Sequence, residues 1–210
     1  FNGRQTMPKY NRLDKDNCAC LLVDHQVGLF SLVQDFEPIQ FTNNVLATAA
    51  CAKFFNLPTI LTTSLEGGPN GPLLPELVEM HGMAPKVARP GEITAFDNKE
   101  FVEAVKKTGK KQLLISGIVT EVCVGFCTLS ALEMGYDVFV VTDASGTFNC
   151  EAREGAWMRM TQAGAQLLNW FAVACELHRD WRNDMEGLAK LCATYIPSYG
   201  NLMTNKAYKG

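Results

Sequence analysis

No apolar run in this 210-residue chain approaches the roughly 20 residues that a membrane-crossing helix needs, so no transmembrane helix is expected. The amino terminus lacks the charged, apolar and small-residue order of a secretory signal, and the expected location is cytoplasmic. Basic residues are not in excess. The 19 Lys and Arg stand against 22 Asp and Glu, and the net charge of -3 with mixed signs leaves no stripe for a phosphate backbone. Nucleic acid is therefore not an expected partner. Histidine is scarce, with three in the chain, and the histidines and the eight cysteines together supply no four-ligand zinc pattern. There is no C-x-x-C pair, so most cysteines read as small apolar core residues in a reducing compartment. Internal repeats and low-complexity tracts are absent as well.

What is present is a full core's worth of apolar residues, 47% against 20% charged, at a length that suits one domain over residues 7–210. Residues 1–6 precede Met7, match no element pattern, and are set aside as an appended tail or a short natural extension. Strand-length apolar runs alternate with helix-period stretches. The strands are expected at 18–24, 58–64, 86–89, 112–118, 137–143 and near 165–171. Helices are expected at 41–56, 98–108, 123–134 and near 150–163, with further helices at the carboxyl end. Such alternation predicts a three-layer, doubly wound α/β fold with a parallel sheet between two layers of helices. The unbroken apolar character of LLISGI and DVFVVTDA fits strands buried on both faces. Gly109 and Gly135 stand where helices should end. Residues 64–85, rich in Gly and Pro, read as an irregular excursion placed to close over a site.

Three residues end strands with chemistry to offer. Cys123 follows the apolar run LLISGIVTEV and opens a helix, where unpaired amides and the helix dipole favour a thiolate, so its pKa is expected below the usual value of about 8.5. Asp24 closes CACLLVD, and Arg89 closes KVAR, held extended by Pro90. In an open parallel sheet the carboxyl ends of strands line one crevice, so these three can meet. A carboxylate can then take the thiol proton and return it to a leaving group, while the cation keeps both anions tolerable. Alternation in KVAR sends Lys86 to the other face, which makes Arg89 the candidate cation. Asp143, after VFVVT, reads as a residue orienting the following turn. His25 is expected to face away or orient a backbone group, and His178 to lie in a polar helical stretch. Phe30, Glu66, Asn70 and Thr147 are candidate pocket residues from their loops beside strand ends. Cys127, one turn after Cys123, reads as core, and the three tryptophans as packing or subunit-contact residues.

VDHQ at 23–26, ARPG at 88–91, GIVTEVCV at 117–124 and VVTDA at 140–144 resemble the isochorismatase-like cysteine hydrolases. GPNGPL at 68–73, DASGTFN at 143–149 and CELHRDWRND at 175–184 resemble the YcaC-like subgroup most closely. The resemblance implies a six-stranded parallel sheet of Rossmann-like order 3-2-1-4-5-6, with Asp24 as general base and Cys123 as nucleophile forming a thioester-type intermediate. It also implies an oxyanion hole from the amides of Val119 and Cys123, shaped by a cis peptide between Ile118 and Val119. The broader family places Lys at the cationic position, where this chain has Arg89. The nicotinamidase branch carries an Asp-x-His metal motif that TTSLEGGPNG at 62–71 does not contain, so no catalytic metal and no cofactor are expected.

The function expected is hydrolysis of a small amide or related C–N bond, by a homo-oligomer that the resemblance makes an octamer. Two alternatives stay open: a thiol redox protein using Cys123, and a non-catalytic binding protein that keeps the fold.

Overall fold

The computed structural model describes residues 10–207, and the reading of residues 1–6 as an extension falls outside them. Six strands form one sheet: β1 (Cys18–Val23), β2 (Thr59–Ser64), β3 (Lys86–Arg89), β4 (Gln112–Gly117), β5 (Asp137–Val141) and β6 (Gln166–Leu168). Every pairing is parallel, as the alternation predicts, and the order is β3-β2-β1-β4-β5-β6, as the family resemblance implies. The order reverses between β1 and β4, so the crevice of this fold opens at their carboxyl ends.

The crossovers place helices on both faces. Helices α1 (Pro38–Phe54), α6 (Trp170–His178) and α7 (Met185–Tyr195) cover one face, burying Phe41, Val45, Trp170 and Leu188 against Cys20, Leu22 and Leu114. On the other face α3 (Lys99–Lys107), α4 (Gly125–Glu133) and α5 (Cys150–Gln162) bury Phe101, Cys127, Ala131 and Met160 against Leu21, Val23, Ile115 and Val140. A last helix, α8 (Pro197–Ala207), follows α7. Alternate residues along each strand thus feed two separate cores. Among the described residues no helix is long and apolar enough to cross a membrane.

Local chemistry sets several boundaries away from their expected places. Helix α1 starts at Pro38 and not at residue 41, because Glu37 accepts a hydrogen bond from Gln40 N and Pro38 occupies the first turn, where it needs no N–H partner. The excursion at 64–85 is not wholly irregular: its PELVEM stretch forms a short helix, α2 (Pro75–Met80), whose Leu77 is buried against α1. Helix α4 does not begin at residue 123. Thr120–Val124 form a π-turn that places Cys123 before the regular helix. Gly109 and Gly135 have φ of 68° and 84° at the ends of α3 and α4, the left-handed termination that favours glycine.

Candidate active site

The three candidate groups stand in the same lateral order as their strands. Asp24 follows β1 at φ 57°, and Gln26 N donates to its carbonyl at 2.8 Å to close a three-residue turn. Arg89 ends β3, two strands away, which at ordinary strand spacing is about 10 Å and demands a long side chain. The side chain crosses β2 on the way. Its Nε–H donates to Thr62 Oγ1 at 3.1 Å, one terminal nitrogen donates to the carbonyls of Glu92 and Ile93 at 2.5 and 3.3 Å, and the other to both Asp24 oxygens at 2.5 Å. Thr62 in turn donates to Val87 O at 2.8 Å. Both side chains of the ion pair are fully buried.

Cys123 approaches from the other side of β1, on the π-turn that follows β4. Gly117 makes this possible, because a Cβ there would stand 2.1 Å from Val23 O, so only glycine lets β1 and β4 close between Asp24 and Cys123. The Ile118–Val119 peptide is cis. Ile118 N donates to Val23 O and Thr120 N to Gly146 O, whereas the Val119 N–H between them meets no acceptor among the described residues.

The thiol is not acidified, which corrects the sequence expectation. Burial pushes the Cys123 thiol well above its ordinary value, and the adjacent Asp24 charge pushes it further, outweighing the Arg89 guanidinium. The expectation counted the helix start and the cation but neither the burial of the thiol nor the anion beside it. Burial also raises the Asp24 carboxyl, opposed by Arg89 and by the Cys123 thiol, which bonds to it. A protonated thiol against a carboxylate of raised basicity can act as a nucleophile whose proton acceptor is already in contact.

The other candidates divide. Thr147 is fully buried and donates to Glu121 Oε2 at 2.6 Å, two residues before Cys123, while its N–H donates to Asp35 at 2.8 Å. Asn70 donates to Ser64 O at 2.9 Å and so pins the loop after β2. Phe30 packs its ring on Phe41 with centroids 5.5 Å apart. Glu66 is paired with Lys86 at 2.7 Å and with the Thr63 hydroxyl, on the face of the sheet opposite Arg89. Asp143 accepts from Trp170 N at 2.9 Å and so anchors the start of α6, with burial raising its carboxyl to about 6. His25 is buried and bonded to Ala144 O at 3.1 Å, and burial lowers it to about 4, so it is neutral. His178 is buried among Phe54, Phe55 and Trp181, in place of the expected polar surroundings. All eight cysteines are free.

Two participants escaped the sequence reading. Thr62 sits in TILTTS, where nothing separates it from its neighbours until β2 is known to lie between β3 and β1; its register with Val87 then puts it on the side of Arg89. Gln26 is fully buried and bridges to Ser64 N, Ser64 O and Gly71 O, tying the turn after Asp24 to the loop after β2. A glutamine two residues beyond a strand-ending acid was the available signal.

Comparison with known proteins bears on the whole of this arrangement. An isochorismatase domain model matches residues 18–171. The chain is 67% identical over 196 residues to the probable hydrolase YcaC of Escherichia coli, covering 93% of this chain and 94% of that one. The crystal structure of that relative, described as an octameric hydrolase of unknown specificity, superposes with a TM-score of 0.96 at 65% identity over 97% of this chain and all of that one. YcaC from Pseudomonas aeruginosa, solved with hexane-2,5-diol and covalent acrylamide, gives 0.95 at 65% identity over 96% of this chain and all of that one. With the family model matched from β1 through β6 and near-complete coverage of relatives this similar, the chain belongs to the isochorismatase family.

Proposed function

We propose that the chain is a cysteine-dependent hydrolase acting on a small amide or related C–N bond. One observation carries this reading: the Cys123 thiol lies against a fully buried Asp24–Arg89 pair at the switch point of the sheet. Asp24 takes the thiol proton as sulfur attacks the carbonyl carbon, and the oxyanion is received by the Val119 and Cys123 amides. The proton passes from Asp24 to the leaving nitrogen, the C–N bond breaks, and a thioester remains on Cys123. Water then gives a proton to Asp24 and its hydroxyl to the thioester, and the carboxylic acid departs as sulfur recovers its proton. Arg89 holds Asp24 and compensates its charge; always protonated, it relays no proton. The covalent acrylamide in the Pseudomonas aeruginosa relative supports a nucleophile in this subgroup. The octamer described for the Escherichia coli relative supports eight copies here as well.

The redox alternative requires a second thiol able to attack an oxidised Cys123. Cys127 is fully buried and burial holds its thiol well above the ordinary range, which makes it a poor resolving group. The test is a screen of small amides for ammonia or amine release by the wild type and by Cys123→Ala, with intact-protein mass measured during turnover. Release by the wild type alone, together with an acyl adduct mapped to Cys123, is expected. Equal release by both proteins would falsify the nucleophile assignment.

A further inference from the structure

Arg89 is the cation whose charge reaches Cys123, and it has no donor left for a substrate. A guanidinium carries five N–H groups. Here one goes to Thr62, two to the Glu92 and Ile93 carbonyls and two to Asp24. The pair it forms with Asp24 is neutral as a unit and offers an anion no net attraction. Lys86 is taken by Glu66 on the other side of the sheet. The charge nearest in sequence to Cys123 is that of Glu121, whose carboxylate receives the Thr147 hydroxyl. The loops leaving β1, β2, β3 and β5 at this end of the sheet each expose one large apolar side chain: Val27 (41%), Leu65 (50%), Ile93 (63%) and Phe148 (44%). Burying such groups on a ligand favours an apolar partner surface and penalises a charged one.

Resting on the cysteine-hydrolase reading, we propose that the site selects uncharged amides with an apolar remaining group and rejects substrates that carry a carboxylate. Recognition then comes from shape and apolar contact, and the cation serves the base alone.

Iodoacetamide and iodoacetate test this, being nearly identical in size and differing by one negative charge. Both lose iodide when sulfur attacks the methylene carbon. The rate of labelling at Cys123, followed by peptide mapping, is divided by the rate of each reagent with 2-mercaptoethanol. A corrected preference for iodoacetamide of about tenfold is expected, because a carboxylate that leaves water for an apolar rim finds no free cation among the described residues of the site to receive it. N-propyl iodoacetamide should label at least as fast as iodoacetamide. Leu65→Lys and Phe148→Lys should each reduce the preference several-fold. Corrected rates that are equal, or that favour iodoacetate, overturn the substrate class while leaving the nucleophile in place. Amide hydrolysis that persists in Cys123→Ala removes the nucleophile, and both readings go with it.

Discussion

Asp24 acts on Cys123 in two opposed ways: its charge holds the thiol protonated at rest, and in the proposed mechanism it is where the proton goes. The two are separable by substitution. Asp24→Asn removes the anion and leaves the Arg89 cation, so the apparent thiol pKa, read from thiolate ultraviolet absorbance, should fall while amide hydrolysis is lost. A thiol pKa that stays or rises in Asp24→Asn would show that burial alone raises it. Arg89→Met strands the Asp24 carboxyl without its partner inside the protein, and a loss of about 3–5 kcal/mol in denaturant unfolding is expected. Lys86→Met breaks a partly exposed pair with Glu66 and should cost less than about 1 kcal/mol, with Cys123 alkylation unchanged. Reversal of that order would place the functional cation at Lys86.

Strand β4 and the turn after it bring thiol and carboxylate together, and Gly117 is where that contact is most constrained. Gly117→Ala forces a Cβ against Val23 O, so the ends of β1 and β4 must part, with about 1–3 kcal/mol lost and Cys123 alkylation slowed in the fraction that stays folded. Gly135→Ala meets no neighbour, loses about 1–2 kcal/mol through its positive φ, and should leave alkylation intact. An effect of Gly135→Ala on the thiol equal to that of Gly117→Ala would refute the close-approach account. The six strands and the long helices were legible in the sequence because alternation and length are strong signals, and the places of Asp24 and Arg89 at strand ends followed from them, whereas Cys123 stands beyond the strand end, on the turn after β4. The six residues of α2 are too few for periodicity to show, and they start on a proline inside a Gly- and Pro-rich stretch. The π-turn at Thr120–Val124 depends on backbone geometry that no residue type announces. Thr62 and the acidity of Cys123 were hidden for a different reason: the path of the Arg89 side chain over Thr62 and the burial of the thiol beside Asp24 are set by side-chain packing that no residue type announces.

Taken as a whole molecule, the protein buries two groups whose titrations pull stability in opposite directions. His25, lowered to about 4 from 6.5, contributes stability that is present above its unfolded value and lost as pH falls through about 4. Asp143, raised to about 6 from 3.8, contributes stability that is present below its unfolded value and lost as pH rises through about 6. Each spans about 3 kcal/mol, so between roughly pH 4 and 6.5 the two slopes nearly cancel. Asp143→Asn keeps an acceptor for Trp170 N and removes one slope. Its urea unfolding free energy relative to wild type should therefore rise with pH by about 3 kcal/mol across that window, and a constant difference would show that Asp143 does not titrate there. The position of Arg89 has a consequence for heat. Strand β3 has four residues, lies at the edge of the sheet and is held on one side by β2 alone, while Asp24 and Cys123 belong to the strands at its centre. Edge elements of this kind detach at lower free energy than the body that carries them. Detachment of β3 would withdraw the guanidinium and leave the rest standing, so on warming the enzyme should fall silent before it melts, and recover on cooling without having refolded.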